Sequence, residues 1–343
     1  MVEIIHSCDQ IKTYPIISNE RRPIMRKIAV LTSGGDAPGM NAAIRAVVRR
    51  GIYKGMDVFG IHNGYEGLLE GYITPMTLGS VGDIIHRGGT ILRTSRSERF
   101  KTEEGQKTAI NQLNKYGIDG LVVVGGDGSF IGARKLGKKG VPVVGIPGTI
   151  DNDIAGTEYS IGFNTAVSTA IDAIDKIRDT AFSHERTSVV EVMGRGAGDI
   201  ALWAGLCSGA ESIIIPEASY RIEDIFERIT CGRNRGKMHS IIVVAEGVCR
   251  AEDISVALRD RFKLDTRVIV LGYLQRGGTP TAYDRMIGSQ MGAKAVDLLI
   301  DGHGGNMVGF NSGKIVYKSF EQAEIQVHEI DMSLYQLART LSI

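Results

Sequence analysis

The chain has 343 residues, a formal net charge of +1 and 43% hydrophobic residues. That length fits about two domains of roughly 150 residues each, and the near-neutral charge gives no general pull toward nucleic acid or an acidic partner. Its four cysteines, Cys8, Cys207, Cys231 and Cys249, show no CxxC and no Cys/His ligand spacing, so they read as reduced thiols, and no apolar run approaches the roughly 18 residues of a membrane span.

Residues 1–24 hold only short apolar pieces, broken by His6, Asp9, Lys12 and Pro15. They lack the apolar core and cleavage site of a signal peptide and read as a flexible N-terminal extension, with Met25 as a candidate start. From there strand-length apolar runs are expected at 27–32, 57–62, 119–124, 142–146, 187–193, 211–215, 239–245 and 266–272. Helix-period stretches fall at 41–54, 103–116, 129–138, 162–181, 198–208, 222–234, 251–261 and 280–301. Such alternation predicts an α/β fold with parallel sheets and helices on both faces. The 44 glycines imply many tight turns.

Three segments at strand ends carry the chemistry. Ser33-Gly34-Gly35-Asp36 follows the first strand and leads into a helix, a setting in which backbone N–H groups and a helix N-terminus suit a phosphate. Gly125-Gly126-Asp127-Gly128-Ser129 repeats the pattern; Asp127 could hold Mg²⁺, or simply cap the next helix. In Pro147-Gly148-Thr149-Ile150-Asp151-Asn152-Asp153 the proline is expected to end the strand. An extended continuation would put Asp151 and Asp153 on one side, beyond the carboxyl end where ligands bind in open α/β sheets. Like-charged neighbours are costly unless a metal or reaction occupies them. Arg195 and Arg276 lie where strands run into glycine, with guanidinium groups suited to phosphate. No Walker A or full GxGxxG motif occurs.

In order, TSGGDAPGMNAAIR (32–45), GGDGS (125–129), PGTIDND (147–153), IGFNTA (161–166), EVMGR (191–195), EG (246–247) and LGYLQRGG (271–278) resemble the bacterial-type ATP-dependent 6-phosphofructokinases. The resemblance runs from about Met25 to the C-terminus. It implies two similar three-layer, doubly wound α/β domains with mainly parallel sheets and an active site in the cleft between them. The larger, ATP-binding domain would be 25–162 plus 275–325, and the smaller, fructose 6-phosphate-binding domain 163–274 plus 326–343.

Carried over by motif, Gly35, Arg96, Ser97, Gly126, Asp127, Gly128 and Ser129 would contact ATP, with Asp127 serving Mg²⁺. Asp151 would be the base, with Thr149, Ile150 and Asp153 beside it and Arg195 stabilising transition-state charge. Met193, Gly194, Arg195, Glu246, Tyr273 and Arg276 would hold fructose 6-phosphate, together with Arg186 and Arg267 from a neighbouring subunit of a homotetramer. Arg45, Arg49, Arg178, Gly209, Glu211, Arg235, Lys237 and His239 match an effector site for ADP, GDP or phosphoenolpyruvate, where Glu211 would suit a nucleotide's Mg²⁺. The family implies a cytoplasmic enzyme with neither nucleic-acid nor membrane partners. Tyr273 stands where relatives commonly have His, and Leu78 stands in a segment where relatives often place an arginine.

Three competing readings remain at this level. A pyrophosphate-dependent relative would typically carry Asp at position 128 and Lys at 148. NAD or lipid kinases share GGDG but lack PGTIDND. A non-catalytic nucleotide sensor has no need of Asp151.

Overall fold

Lys27-Ile-Ala-Val-Leu-Thr-Ser33 forms a central strand because its side chains alternate between two cores. Ile28 and Val30 enter one, Ala29 and Leu31 the other, and all four are fully buried. The computed structural model describes residues 25–326 and 328–342; the expected extension 1–24 lies outside the described residues.

In chain order β1 (Lys27–Ser33) is followed by α1 (Met40–Tyr53), β2 (Asp57–Ile61), α2 (Gly64–Glu70) and β3 (Ile73–Met76). Then come α3 (Glu103–Tyr116), β4 (Gly120–Gly125), α4 (Asp127–Lys138), β5 (Val143–Thr149) and the short β6 (Ile161–Gly162). The long α5 (Phe163–His184) leads to β7 (Thr187–Val192), α6 (Asp199–Cys207), β8 (Ser212–Ile214), α7 (Ile222–Asn234) and β9 (Ser240–Ala245). After α8 (Ala251–Phe262) and β10 (Thr266–Val270), α9 (Ala282–Ile300), β11 (Asn306–Asn311), β12 (Lys314–Ser319), α10 (Phe320–Ile325) and α11 (Met332–Leu341) complete the chain.

The large sheet has the order β12-β11-β5-β4-β1-β2-β3, with β6 paired to β5. Its interior pairs are parallel, and antiparallel partners close both edges. The small sheet, β10-β7-β9-β8, is wholly parallel. Helices cover both faces of each. In the large sheet, α1 and α9 pack on one side, with α2, α3 and α4 on the other. The core that holds α1 and α9 runs on through Phe163, Ile200 and Val243, so the two sheets share it. An aromatic cluster sits in this shared region, where Tyr159 packs edge-on against Trp203 and Tyr283 at 5.9 and 5.3 Å.

Two sequence details set the packing near the cleft. A Cβ at Gly292 of α9 would lie 2.6 Å from Ala43 O, so a hydrogen there lets α1 and α9 touch backbone to backbone. Helix α5 starts after Gly162, whose φ of 107° suits glycine and which offers no capping side chain. Asp284 of α9 supplies it, accepting from Gly162 N at 2.9 Å and Thr165 N at 2.8 Å.

The strand expected to stop at Pro147 does not. β5 runs on to Thr149, because Pro147 stands opposite Gly125, the last residue of β4, and pairing then passes to β6 through Gly148 and Thr149. Asp151 and Asp153 are not in extended chain either. Asn152 between them has φ 56°, in the left-handed region, and a turn rather than strand alternation disposes the pair.

Candidate active site

The carboxyl ends of β1, β4 and β5 meet those of β7 and β9 across a cleft. On the large-sheet side Asp127 is the first residue of α4, and the capping position itself is held by Gly126. The helix-cap alternative therefore fails, and the carboxylate is left for the cleft. Desolvation and the nearby Asp153 raise its pKa, opposed by Arg195 and His328.

Asp151 is only 7% exposed, and its Oδ1 is buried with no hydrogen-bond partner. Its backbone N–H donates to Thr149 Oγ1 at 3.2 Å. Burial, then the charge of Asp153, push its pKa up to about 6, against the pull of Arg276 and Arg195. Asp153 lies 3.9 Å from Arg195 Nη1, and its own pKa is raised chiefly by burial. Ile150, which precedes Asp151, is fully buried. A buried acceptor without a donor, titrating near neutrality, is the physical profile of a general base.

The small-sheet side answers with cations and aimed backbone. Arg195 has φ 56°, and its N–H donates to Glu246 Oε1 at 3.0 Å. Met193 N donates to Gln275 Oε1 at 2.9 Å, which ties the end of β7 to the turn that carries Arg276. The Arg276 guanidinium crosses to the large sheet. It donates to Asp36 O at 3.3 Å and lies against Gly35, where a Cβ would stand 2.2 Å from its Nη1. Tyr273 is 82% exposed on the same turn.

Thr94, which the sequence did not single out, donates to Gly34 O at 2.7 Å and draws the loop bearing Arg96 and Ser97 to the first glycine turn. Ser97 itself is taken up by Glu66 Oε2 at 2.5 Å. Ser129 is buried, and a Cβ at Gly34 would lie 3.4 Å from its Oγ. A Cβ at Gly128 would meet nothing within 4 Å, whereas one at Gly148 would lie 3.0 Å from Val124 Cγ1 and 3.1 Å from Met40 Cε. Gly128 thus borders open cleft, and Gly148 is a packing glycine.

The chain matches the Phosphofructokinase family over residues 27–299. It is 60% identical over 319 residues to the ATP-dependent 6-phosphofructokinases of Halalkalibacterium halodurans and of Brevibacillus brevis, covering 93% of this chain and 100% of each relative. The chain belongs to the phosphofructokinase family. A phosphofructokinase structure from Saccharomyces cerevisiae superposes with TM-score 0.84 at 37% identity, covering 93% of this chain and 48% of the yeast chain, about half its length. A pyrophosphate-dependent phosphofructokinase from Marinobacter aquaeolei shares the fold, with TM-score 0.80 at 22% identity over 90% of this chain and 86% of that one.

A phosphofructokinase needs a divalent cation. Among the described residues no group of three His, Cys, Asp or Glu could hold a metal alone. A small hard cation that brings phosphate and water oxygens needs only one or two carboxylates. Asp127, in the first turn of α4 with open space beside it at Gly128, fits that demand.

The other expected residues fall into two groups away from the cleft. Arg186 Nε and Arg267 Nη1 share the Asp265 carboxylate, at 2.8 and 2.7 Å. They sit at the amino ends of β7 and β10, while Arg195 follows the carboxyl end of β7. At ~3.3 Å per residue the strand separates them by roughly 20 Å. One ligand cannot reach both within a single chain.

The second group lies at the far end of the small sheet. There Arg178 donates to Ser208 O, and to Gly209 O at 3.5 Å. A cavity of about 430 Å³ is lined by Arg178, Asp179, Phe182, Ser183 and His239. His239 is held below its ordinary pKa by burial and by Lys237. Glu211 does not offer the free carboxylate expected of it. It is buried, with Oε1 on Lys237 Nζ and Oε2 accepting from Ile241 N at 2.6 Å. Arg45 and Arg49 stand apart on α1, and Arg235 follows α7.

Proposed function

We propose that this chain transfers the γ-phosphoryl group of ATP to the 1-hydroxyl of fructose 6-phosphate, giving fructose 1,6-bisphosphate and ADP, the committed step of glycolysis. The buried, partnerless Asp151 carries the reading. It takes the proton of the 1-hydroxyl as that oxygen attacks the γ-phosphorus, and ADP leaves in line. Positioning and electrostatics supply most of the acceleration in such a transfer. Arg195 neutralises charge on the transferring group, and Asp153 stands beside the base.

Mg²⁺, held by Asp127 and the nucleotide phosphates, would neutralise charge on the donor. Gly35, Arg96, Ser97, Gly126, Gly128 and Ser129 bind ATP. Met193, Gly194, Arg195, Glu246, Tyr273 and Arg276 bind the sugar phosphate, with Arg186 and Arg267 serving a neighbouring protomer of a homotetramer. Their distance from Arg195 in one chain supports that sharing. Arg45, Arg49, Arg178, Gly209, Arg235, Lys237 and His239 form the effector pocket for ADP, GDP or phosphoenolpyruvate, with Glu211 setting the position of Lys237. The domains divide as 25–162 plus 275–325 and 163–274 plus 326–343; every strand of the large sheet falls in the first set and every strand of the small sheet in the second, which supports the division. Among the described residues no helix is long and apolar enough to cross a membrane, and the enzyme is assigned to the cytoplasm.

Open space at Gly128 favours a nucleotide over pyrophosphate as donor. A coupled assay of fructose 1,6-bisphosphate formation tests this. MgATP should support turnover and pyrophosphate almost none; comparable rates with both would overturn the donor assignment. Gly128→Asp should depress ATP use through crowding and added negative charge.

A further inference from the structure

Asn152 separates the two aspartates and is itself only 3% exposed. Its Nδ2 donates to Glu158 O at 3.0 Å and to Asp199 Oδ1 at 3.2 Å. Its Oδ1 accepts from Ser160 N at 2.8 Å and lies 3.1 Å from Ser160 Oγ. Both N–H donors of the amide are thereby engaged, and its oxygen accepts from the Ser160 backbone. Ser160 Oγ also lies 2.7 Å from Thr149 O, so the same cluster grips the chain on the other side of Asp151.

The cluster continues away from the cleft. Asp199, the first residue of α6, is 5% exposed. Its second oxygen, Oδ2, lies 2.8 Å from His328 Nε2, on the segment between α10 and α11. A buried carboxylate is expensive unless paired and hydrogen-bonded; here the two partners are Asn152 and His328. The Asp199 hydrogen bond holds the His328 imidazole above its ordinary pKa, and the resulting charge lowers the pKa of Asp127 and Asp153.

A left-handed asparagine costs free energy and persists only where its surroundings over-determine it. We propose that Asn152, Asp199 and His328 are positioning residues, a buried hydrogen-bonded chain that holds the left-handed turn aiming Asp151 and Asp153 into the cleft. Asn152 belongs to the large-sheet half and Asp199 to a helix of the small sheet, so the chain also ties the base's direction to the docking of the two halves. The proposal rests on Asp151 being the base.

The test is a kcat-against-KM comparison on the full-length enzyme. Asn152→Gly keeps positive φ accessible while removing all the amide's bonds. Misplacement of a reacting group by ~1 Å costs up to about 10²-fold, so kcat should fall by roughly tenfold to a hundredfold, with both KM values nearly unchanged. His328→Ala should lower kcat in the same manner, and His328→Gln, which can still donate to Asp199, should recover most of the loss. If Asn152→Gly does not fold, the two His328 variants decide alone, since their site lies outside both sheets. Unchanged kcat in these variants, a loss confined to KM, or no difference between His328→Ala and His328→Gln would each overturn the proposal. Asp151→Asn is assayed alongside. If it stays active, the base assignment fails and the positioning proposal with it; if it alone is inactive, only the positioning proposal falls.

Discussion

The two sheets differ in charge at their carboxyl ends, with three aspartates on the large sheet against arginines beside a single glutamate, Glu246, on the small one. The large sheet ends in Asp127, Asp151 and Asp153, each with a raised pKa. The small sheet ends in Arg195, and the turn after β10 carries Arg276; these guanidinium groups pull the aspartates back down. Neither end is a site by itself. The acids repel one another without the arginines, and the arginines have nothing to act on without the acids.

Removing the proposed base, Asp151, breaks this comparison most severely. General-base catalysis is worth about 10²–10⁴-fold, so Asp151→Asn should cut kcat by that factor while substrate affinity changes less, as steady-state kinetics will show. The same variant should be more stable. The native carboxyl titrates at about 6 and the unfolded one near 3.9, so between those values the native state binds more protons and stability falls as pH rises. At pH 8 the ionised group costs roughly 3 kcal/mol. Thermal melts should show Asp151→Asn raising Tm clearly at about pH 8 and little near pH 4.

Taking a cation from the other sheet comes next. Arg195→Gln should lower kcat by about 10²-fold, the usual scale for loss of one stabiliser of transition-state charge. It should also move the acid limb of kcat/KM to higher pH, because Arg195 lowers the pKa of Asp151. Asp153→Asn sharpens the comparison from the acid side. With the neighbouring negative charge gone, Asp151 should ionise more easily and the acid limb should move to lower pH. Profiles of kcat/KM that shift the opposite way in either variant would contradict the coupling.

The smallest effect is expected far from the cleft. Leu78 is exposed, and an added charged hydrogen bond is worth about 1.5–3 kcal/mol. Leu78→Arg should shift the effector midpoint to lower concentration by roughly tenfold or more, as effector titrations of activity will measure. An unmoved midpoint would place Leu78 outside the effector pocket.

The same contrast explains what the sequence made legible. The inner strands of both sheets are continuous apolar runs, and the long helices carry apolar stripes, so both could be read directly. The small sheet's edges, β8 and β10, were legible too, but the outer strands of the large sheet were not. β3 contains Pro75 and has two exposed residues, and β11 and β12 carry polar residues at their ends. The hairpin signal was present nonetheless: Ser312 and Gly313 form a two-residue turn, both with positive φ, as hairpins prefer. Motif spacing marked Asp127, Asp151, Arg195 and Arg276, but the turn at Asn152 replaced the strand alternation expected there. Asp199 and His328 were missed because they lie 47 residues from Asn152 and 129 residues apart, with no local pattern to betray them.

The Asp284 clamp also sets an order in time. Helix α5 gains its cap only from Asp284, 122 residues after Gly162 and 119 after Thr165. At a synthesis rate of ~5–20 residues per second its first turn waits on the order of ten seconds for that partner. β5 waits longer still for β11. The strands of the small sheet, by contrast, all come from the single stretch 187–270. On the ribosome the sheet that ends in Arg195 can pair completely before the larger sheet, begun first, receives its outer strands, and α11 packs onto α6 last of all.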